Sequence, residues 1–360
     1  MKARQPWIYS LFVDSIFIIA PAFLSLVVVA LFPSYFLEEK ETNLYEWVGL
    51  VLFIDVAHVY STLYRTYFDK ETFEKQKSLL INIPLFCFIV GVILYELDGM
   101  LFWRALAYVA VFHFIRQQYG FMRIYSRKEE LPKYFSYVDT FAIYYATIYP
   151  ILFWHLSGPR NFNWFVQGDF YYFKNRELVN MFTIIYFITI AIYCVKEAVC
   201  IYRYHAFNLP RNLIIAGTFL SWYLGIIYYN GDLIFTLINV VSHGIPYMAL
   251  IWIYGKKKYR NSSTGNGVGI FFRNYGLLFF LTALFVFAYI EEGFWDALVW
   301  NDHKEFFSSF YFLPKLNDRH LLAIVVPLLS LPQVTHYVLD GFIWKLSSDK
   351  DGWKKVTLER

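Results

Sequence analysis

Charge is scarce in this chain. Asp, Glu, Lys and Arg make up 17% of its 360 residues, against 58% hydrophobic residues. An ordinary soluble domain carries nearer to 25%, and with apolar runs of 20 or more residues recurring along the whole length a water-soluble globule is excluded. Cysteine is scarce too. Cys87, Cys194 and Cys200 form no C-x-x-C pair, which excludes a disulfide framework and a zinc knuckle. No basic run is long enough to form a polyanion groove, so the net charge of +4 implies no nucleic-acid partner. Linkers, low-complexity tracts and repeats of 20 to 50 residues are missing, and the chain reads as a single integral membrane domain over 1–360. No cleavable signal peptide is visible: the first apolar run is about 25 residues long and has no small-residue cleavage site.

Apolar runs long enough for a hydrocarbon core of about 30 Å recur instead along the whole length. They predict an all-α, polytopic transmembrane bundle of ten spans: 7–32, 44–64, 78–97, 100–124, 134–156, 177–203, 210–229, 231–254, 270–291 and 319–345. Aromatic residues, at 22%, supply the belts at both interfaces and fill the interior. Counting those within two residues of a span end, the side of both termini holds 21 Lys and Arg, against 7 on the other side. That excess places both termini in the cytoplasm. The acidic stretch 38–41 and the aromatic loop 161–174 then face outward, and 261–267 is a flexible cytoplasmic loop.

Four single histidines fall inside these spans: His58, His113, His243 and His336. Their spans all run in the same direction. Each imidazole precedes the basic cytoplasmic end of its span by 7 to 13 residues, which puts all four about 10–20 Å inside the boundary at 1.5 Å per residue. Ionisable side chains at membrane depth mark functional sites by default, and neutral imidazole is the commonest metal ligand. A shared metal or haem centre is the expectation. The bland alternative for any one of them is a hydrogen bond to a neighbouring helix. His243, beside Gly244 and Pro246, fits a kink equally well.

Other polar residues accompany them. Asp55 lies three before His58 and Asp340 four after His336, on shared helical faces. Each is expected either to orient its histidine or to bind the metal directly. Asp55-x-x-His58 has the spacing of the Glu-x-x-His motif of carboxylate-bridged di-iron bundles. Arg116 and Gln117 follow His113 by three and four, and Tyr247 follows His243 by four. Arg116 is expected to pair with Asp55 or, with Gln117, to position a polar or anionic substrate group. Asp14, Asp139, Lys196 and Glu197 also lie in the cytoplasmic half, and the outer half is expected to be almost purely apolar.

Imidazole suits iron, zinc, copper and nickel. In its helical setting and its scattered single histidines, the chain resembles the bacterial membrane dioxygenases that cleave β-carotene. That resemblance is one of type and carries no residue over. It implies non-haem iron, dioxygen chemistry and a lipid or isoprenoid substrate, with a possible electron donor, in a bacterial inner membrane. The fatty-acid desaturases share the habitat but use HxxxH and HxxHH boxes, which are missing here. Acyltransferases of ten spans carry a histidine in the first span, and 7–32 has none. Haem held by paired histidines, a zinc hydrolase and a proton-coupled transporter are the competing expectations.

Overall fold

The computed structural model describes residues 5–37, 40, 42–259, 267–273, 275–345 and 352–358. Residues 38, 39 and 41 of the acidic stretch, and 261–266 of the expected flexible loop, lie outside the described residues. The fold is all-α, 78% helical, with no strand among the described residues. We number the helices α1 (Leu11–Leu31), α2 (Leu44–Tyr64), α3 (Lys70–Leu97), α4 (Gly99–Tyr125), α5 (Lys133–Ser157), α6 (Arg176–Tyr204), α7 (Leu209–Trp222), α8 (Asp232–Lys258), α9 (Gly276–Trp300), α10 (Arg319–Leu329), α11 (Leu331–Ile343) and α12 (Trp353–Leu358).

Six of these, α1, α2, α3, α6, α8 and α9, are long and apolar enough to cross a membrane, and α10 with α11 could make a seventh as a bent pair. This is compatible with an integral membrane protein. The remaining expected spans fall on helices of a different composition. Arg104, Arg116 and Arg123 interrupt α4, Asp139 interrupts α5, and α7 runs 14 residues before widening into a π turn at Tyr223–Tyr228.

The expected last span, 319–345, is broken by a 45° bend between α10 and α11. Pro332, second residue of α11, has no N–H to continue the ladder, and Pro327 interrupts α10. Ser330 at the joint instead hydrogen-bonds back to the Val326 carbonyl at 2.8 Å. α2 is irregular in another way. Asn43 and Glu46 close a capping box at its start, and nine residues, Val48–Val56, then wind as a π-helix before α-geometry resumes at Ala57.

The chain divides into two compact units. The first holds residues 1–41 and 114–246. Within it, α5 packs on α6 and α7, and α1 packs on α7. Gly217 permits the latter approach, since a Cβ there would sit 3.3 Å from Ala22 and Phe23. Five charged side chains meet inside this unit. Lys196 bonds Asp139 and Glu197, while Arg211 bonds Glu129, Asp139 and Glu197. Asn208 and Asn212 complete the hydrogen bonding on Glu129 and Glu197. Burial raises the Glu129 carboxyl above its ordinary range, and the Arg211 charge opposes that rise. In the 161–174 loop, the buried Asp169 Oδ2 accepts from the backbone N–H groups of Trp164, Phe165 and Val166 at 3.0, 2.7 and 3.2 Å.

The second unit holds residues 42–113 and 247–360. α3 packs on α10 and α11, and α2 packs on α9 and α11. Gly91 of α3 lies so close to α10 that a Cβ would stand 2.9 Å from Pro327 Cβ. Aromatic pairs line the seam between α2 and α9: Phe53 on Phe285, Tyr60 on Phe287 and Tyr64 on Phe280, at centroid distances of 4.2, 5.4 and 4.9 Å. Leu52, Val56, Leu284 and Ala288 fill the core between them.

Candidate metal centre

Three of the expected histidines meet inside the second unit. His58 comes from α2, His113 from α4 and His336 from α11, and all three are buried. One ring nitrogen of each lies within 4.8 Å of the others. The His336 ring stands 4.4 Å from that of His113 and 5.0 Å from that of His58, centroid to centroid, with planes inclined by 65° and 77°. With a ring nitrogen of each this close to the others, the group could hold a metal ion.

Hydrogen bonds at Nδ1 set the tautomers of His58 and His336. His58 Nδ1 lies 3.2 Å from the Ile54 carbonyl. A carbonyl only accepts, so Nδ1 carries the proton and Nε2 presents its lone pair. His336 Nδ1 is 2.7 Å from Thr62 Oγ1, which is 2.9 Å from the Tyr247 hydroxyl. Tyr247 in turn donates to Asp340 Oδ1 at 2.6 Å. Because a carboxylate accepts only, the chain takes one direction: His336 Nδ1–H to Thr62, Thr62 to Tyr247, Tyr247 to Asp340. His336 Nε2 is left as an acceptor. It is buried and has no hydrogen-bond partner among the described residues. A buried polar atom of this kind needs a partner, and a metal ion fits the donor.

The carboxylates stand behind the rings. Asp340 Oδ2 lies 3.6 Å from His113 Nδ1, and its Oδ1 lies 3.8 Å from His336 Nδ1. Asp55 Oδ1 is 3.8 Å from His58 Nδ1. Asp55 belongs to the π segment, whose wider turn swings residues three apart off a shared face. Its side chain is accordingly 33% exposed while that of His58 is fully buried. Both acids stand on the Nδ1 side of their histidines at distances longer than a hydrogen bond, and the Nδ1 protons of His58 and His336 go to the Ile54 carbonyl and Thr62 instead.

The other expected residues lie in the first unit. His243 of α8 is buried, with its ring stacked on Phe114 at 3.5 Å and 8°. Its carbonyl accepts from Gln117 Nε2 at 2.8 Å. Arg116 is exposed, donates to the Tyr144 hydroxyl and lies over the Tyr119 ring at 4.9 Å. Asp14, in the first turn of α1, is fully buried and accepts from the N–H groups of Tyr9 and Ser10.

Three residues of the second unit were not expected from the sequence. Thr62 is the link between His336 and Tyr247. Arg65, assigned to a boundary, is fully buried and donates to the Ile343 carbonyl and the Tyr254 hydroxyl at 3.0 and 3.3 Å. Glu291, placed by sequence at the end of its span, sits well inside α9 because that helix continues to Trp300. It accepts from Tyr60 at 2.6 Å and from Trp295 Nε1 at 3.4 Å. The signal was the pair Glu291–Glu292 followed by Asp296, which read as the approach to a loop.

No family model, no curated protein and no solved structure matches this chain.

Proposed function

We propose that the protein is a metal-dependent membrane oxidoreductase, with non-haem iron as its metal and a lipid or isoprenoid as its substrate. The observation that carries this reading is the convergence of the His58, His113 and His336 nitrogens to within 4.8 Å. His243 is the fourth ligand on this reading, from its depth in the sequence and its position one turn before Tyr247. Asp55 and Asp340 orient or complete the set. Arg116 and Gln117 position a polar or anionic end of the substrate. Bound iron with open positions would supply dioxygen activation. The chain's own part is to hold neutral imidazoles in one tautomer, exclude water and present an apolar surround. Ten spans, with both termini in the cytoplasm of a bacterial inner membrane, complete the proposal.

The rings' close, inclined packing favours a bare ion over a porphyrin, which needs a flat slot between its axial ligands. Zinc in the same ligands would instead serve hydrolysis. A second reading, proton-coupled transport, draws on Glu291. This buried carboxylate in the membrane helix α9, held by Tyr60, is the kind of group that carries protons in transporters.

The deciding experiment is metal analysis of the purified protein with its absorption spectrum. Stoichiometric iron without a Soret band, lost in His58→Ala, His113→Ala and His336→Ala, is the expected result. Zinc would turn the reading to hydrolysis, and a Soret band to haem. Full function in all three variants without metal, together with its loss in Glu291→Gln, would replace the enzyme by a transporter.

A further inference from the structure

The ion network of the first unit is not neutral. Lys196 and Arg211 bring two positive charges, and Glu129, Asp139 and Glu197 bring three negative ones. Asp139, Lys196, Glu197 and Arg211 are buried, and Glu129 is half-buried. A surplus charge held away from water is costly unless it is matched. Glu129 and Arg211 line a cavity of about 450 Å³, the size of a small-molecule site. Lys128, Glu130, Tyr204 and Phe207 line it as well, all within the first unit.

One side of the cavity suits a cation. Tyr204 is the last residue of α6, so the carbonyl end of that helix borders the cavity, where the helix dipole favours positive charge. Glu129 Oε2 accepts only from Arg211 among the described residues, at 3.0 Å, and has capacity left. The first turn of α7 offers an anion little. Leu209 N–H goes to Gln5 Oε1 at 2.9 Å, Arg211 N–H goes to Asn208 Oδ1 at 3.1 Å, and Pro210 has no N–H. A proton on Glu129 could also settle the surplus. It would leave Lys128 and Glu130 unmatched, since both are exposed and neither has an ion pair among the described residues. The buried Arg211 Nε–H, too, has no hydrogen-bond partner among the described residues. A ligand with an ammonium and an anionic oxygen answers each of these groups.

The height of the cavity narrows the source. α6, long and apolar enough to cross a membrane, ends at Tyr204. α1, another such helix, starts at Leu11, five residues after Pro6, which also lines the cavity. Tyr202 and Phe207, on either side of the α6 end, are exposed in the manner of an interfacial aromatic belt.

We propose that this cavity binds a phosphate diester of a primary amino alcohol, in the form of a phospholipid's ethanolamine headgroup. The ammonium sits against Glu129 and Glu130, and the phosphate against Lys128 and Arg211. The site rests on the membrane reading and needs no metal in the histidine cluster.

Native mass spectrometry of the detergent-purified protein tests it, by titration with phosphatidylethanolamine, phosphatidylglycerol and phosphatidylcholine of matched chains. The glycerol headgroup lacks the ammonium, and the choline headgroup lacks an N–H. One molecule of phosphatidylethanolamine should bind about tenfold more tightly than either of the others. Lys128→Gln and Glu130→Gln remove exposed charges outside the ion network, so the fold stands. Each should weaken that binding about threefold, and the two together about tenfold. Glu74→Gln, an exposed charge on α3, should change nothing. Equal affinity for the three lipids, or unchanged affinity in the double variant, overturns the proposal. Soluble glycerophosphoethanolamine separates the sources. Binding weaker than that of the lipid supports the membrane source, and equal affinity overturns it in favour of the free ester.

Discussion

Thr62 Oγ1 lies 2.7 Å from His336 Nδ1 and 2.9 Å from the Tyr247 hydroxyl, joining two helices to α2 through one hydroxyl. Removing it should leave the fold intact and release the His336 tautomer. Groups that orient a ligand typically contribute 10–100-fold in metal affinity. We expect Thr62→Val to weaken metal binding by about that factor, with Thr62→Ser close to the parent. Competitive titration against a chelator measures it. An unchanged affinity in the valine variant would remove Thr62 from the site.

Asp340 makes a different prediction. It accepts from Tyr247 and stands behind two histidines at 3.6 and 3.8 Å. Asp340→Asn keeps an acceptor for Tyr247 but loses the charge. We expect weaker metal binding at unchanged stoichiometry. Complete loss of the ion would instead make Asp340 a direct ligand.

The charged group in the first unit is a stability element. Arg211 is buried and bonds three carboxylates, Glu129, Asp139 and Glu197. Deleting one partner of a buried ion pair strands the others and costs about 3–5 kcal/mol. Arg211→Ala should lower the thermal midpoint in detergent by several degrees, and a midpoint within one degree of the parent would contradict the network.

Close packing of α3 on α10 is equally testable. A Cβ at Gly91 would come within 2.9 Å of Pro327 Cβ and 3.3 Å of Phe102. Overpacking of that kind costs about 1–3 kcal/mol. We expect Gly91→Ala to destabilise, and to cost less in a Pro327→Gly background, which removes the opposing Cβ. Thermal unfolding of the single and double variants provides the comparison.

Asp169 carries a pH signature. Burial raises its carboxyl above the ordinary 3.8, against three backbone donors that lower it. The native state then holds the proton more tightly than the unfolded state, so this group's contribution falls as pH rises from 3.8 through the raised value. Asp169→Asn keeps an acceptor and removes the titration. Its stability relative to the parent should improve as pH rises through that window, read from melts at acidic and neutral pH. A pH-independent difference would refute the assignment.

Much of the histidine site is legible in the sequence, because a single imidazole inside an apolar run has few uses at membrane depth. Asp340 is legible from its spacing to His336. Thr62 is not, since a threonine in a helix ordinarily bonds its own backbone one turn back. Arg65 and Glu291 are hidden by the ambiguity of span ends: a charge within a few residues of a boundary reads as interfacial until the helix is seen to continue. The Ser330 bend is half legible, because Pro327 and Pro332 announce a break without fixing where the chain turns. The five-membered ion network is announced only by its members, whose sequence separations give no hint that they meet.

The π segment at Val48–Val56 has one last consequence. A helix wound with i→i+5 bonds spends more chain per unit of rise than an α-helix spanning the same depth. α2 therefore carries slack on the N-terminal side of His58. A single residue could be lost there with the ladder tightening to absorb it, while His58, Thr62 and Arg65 keep their stations. The same loss beyond Ala57 would rotate all three away from their neighbours.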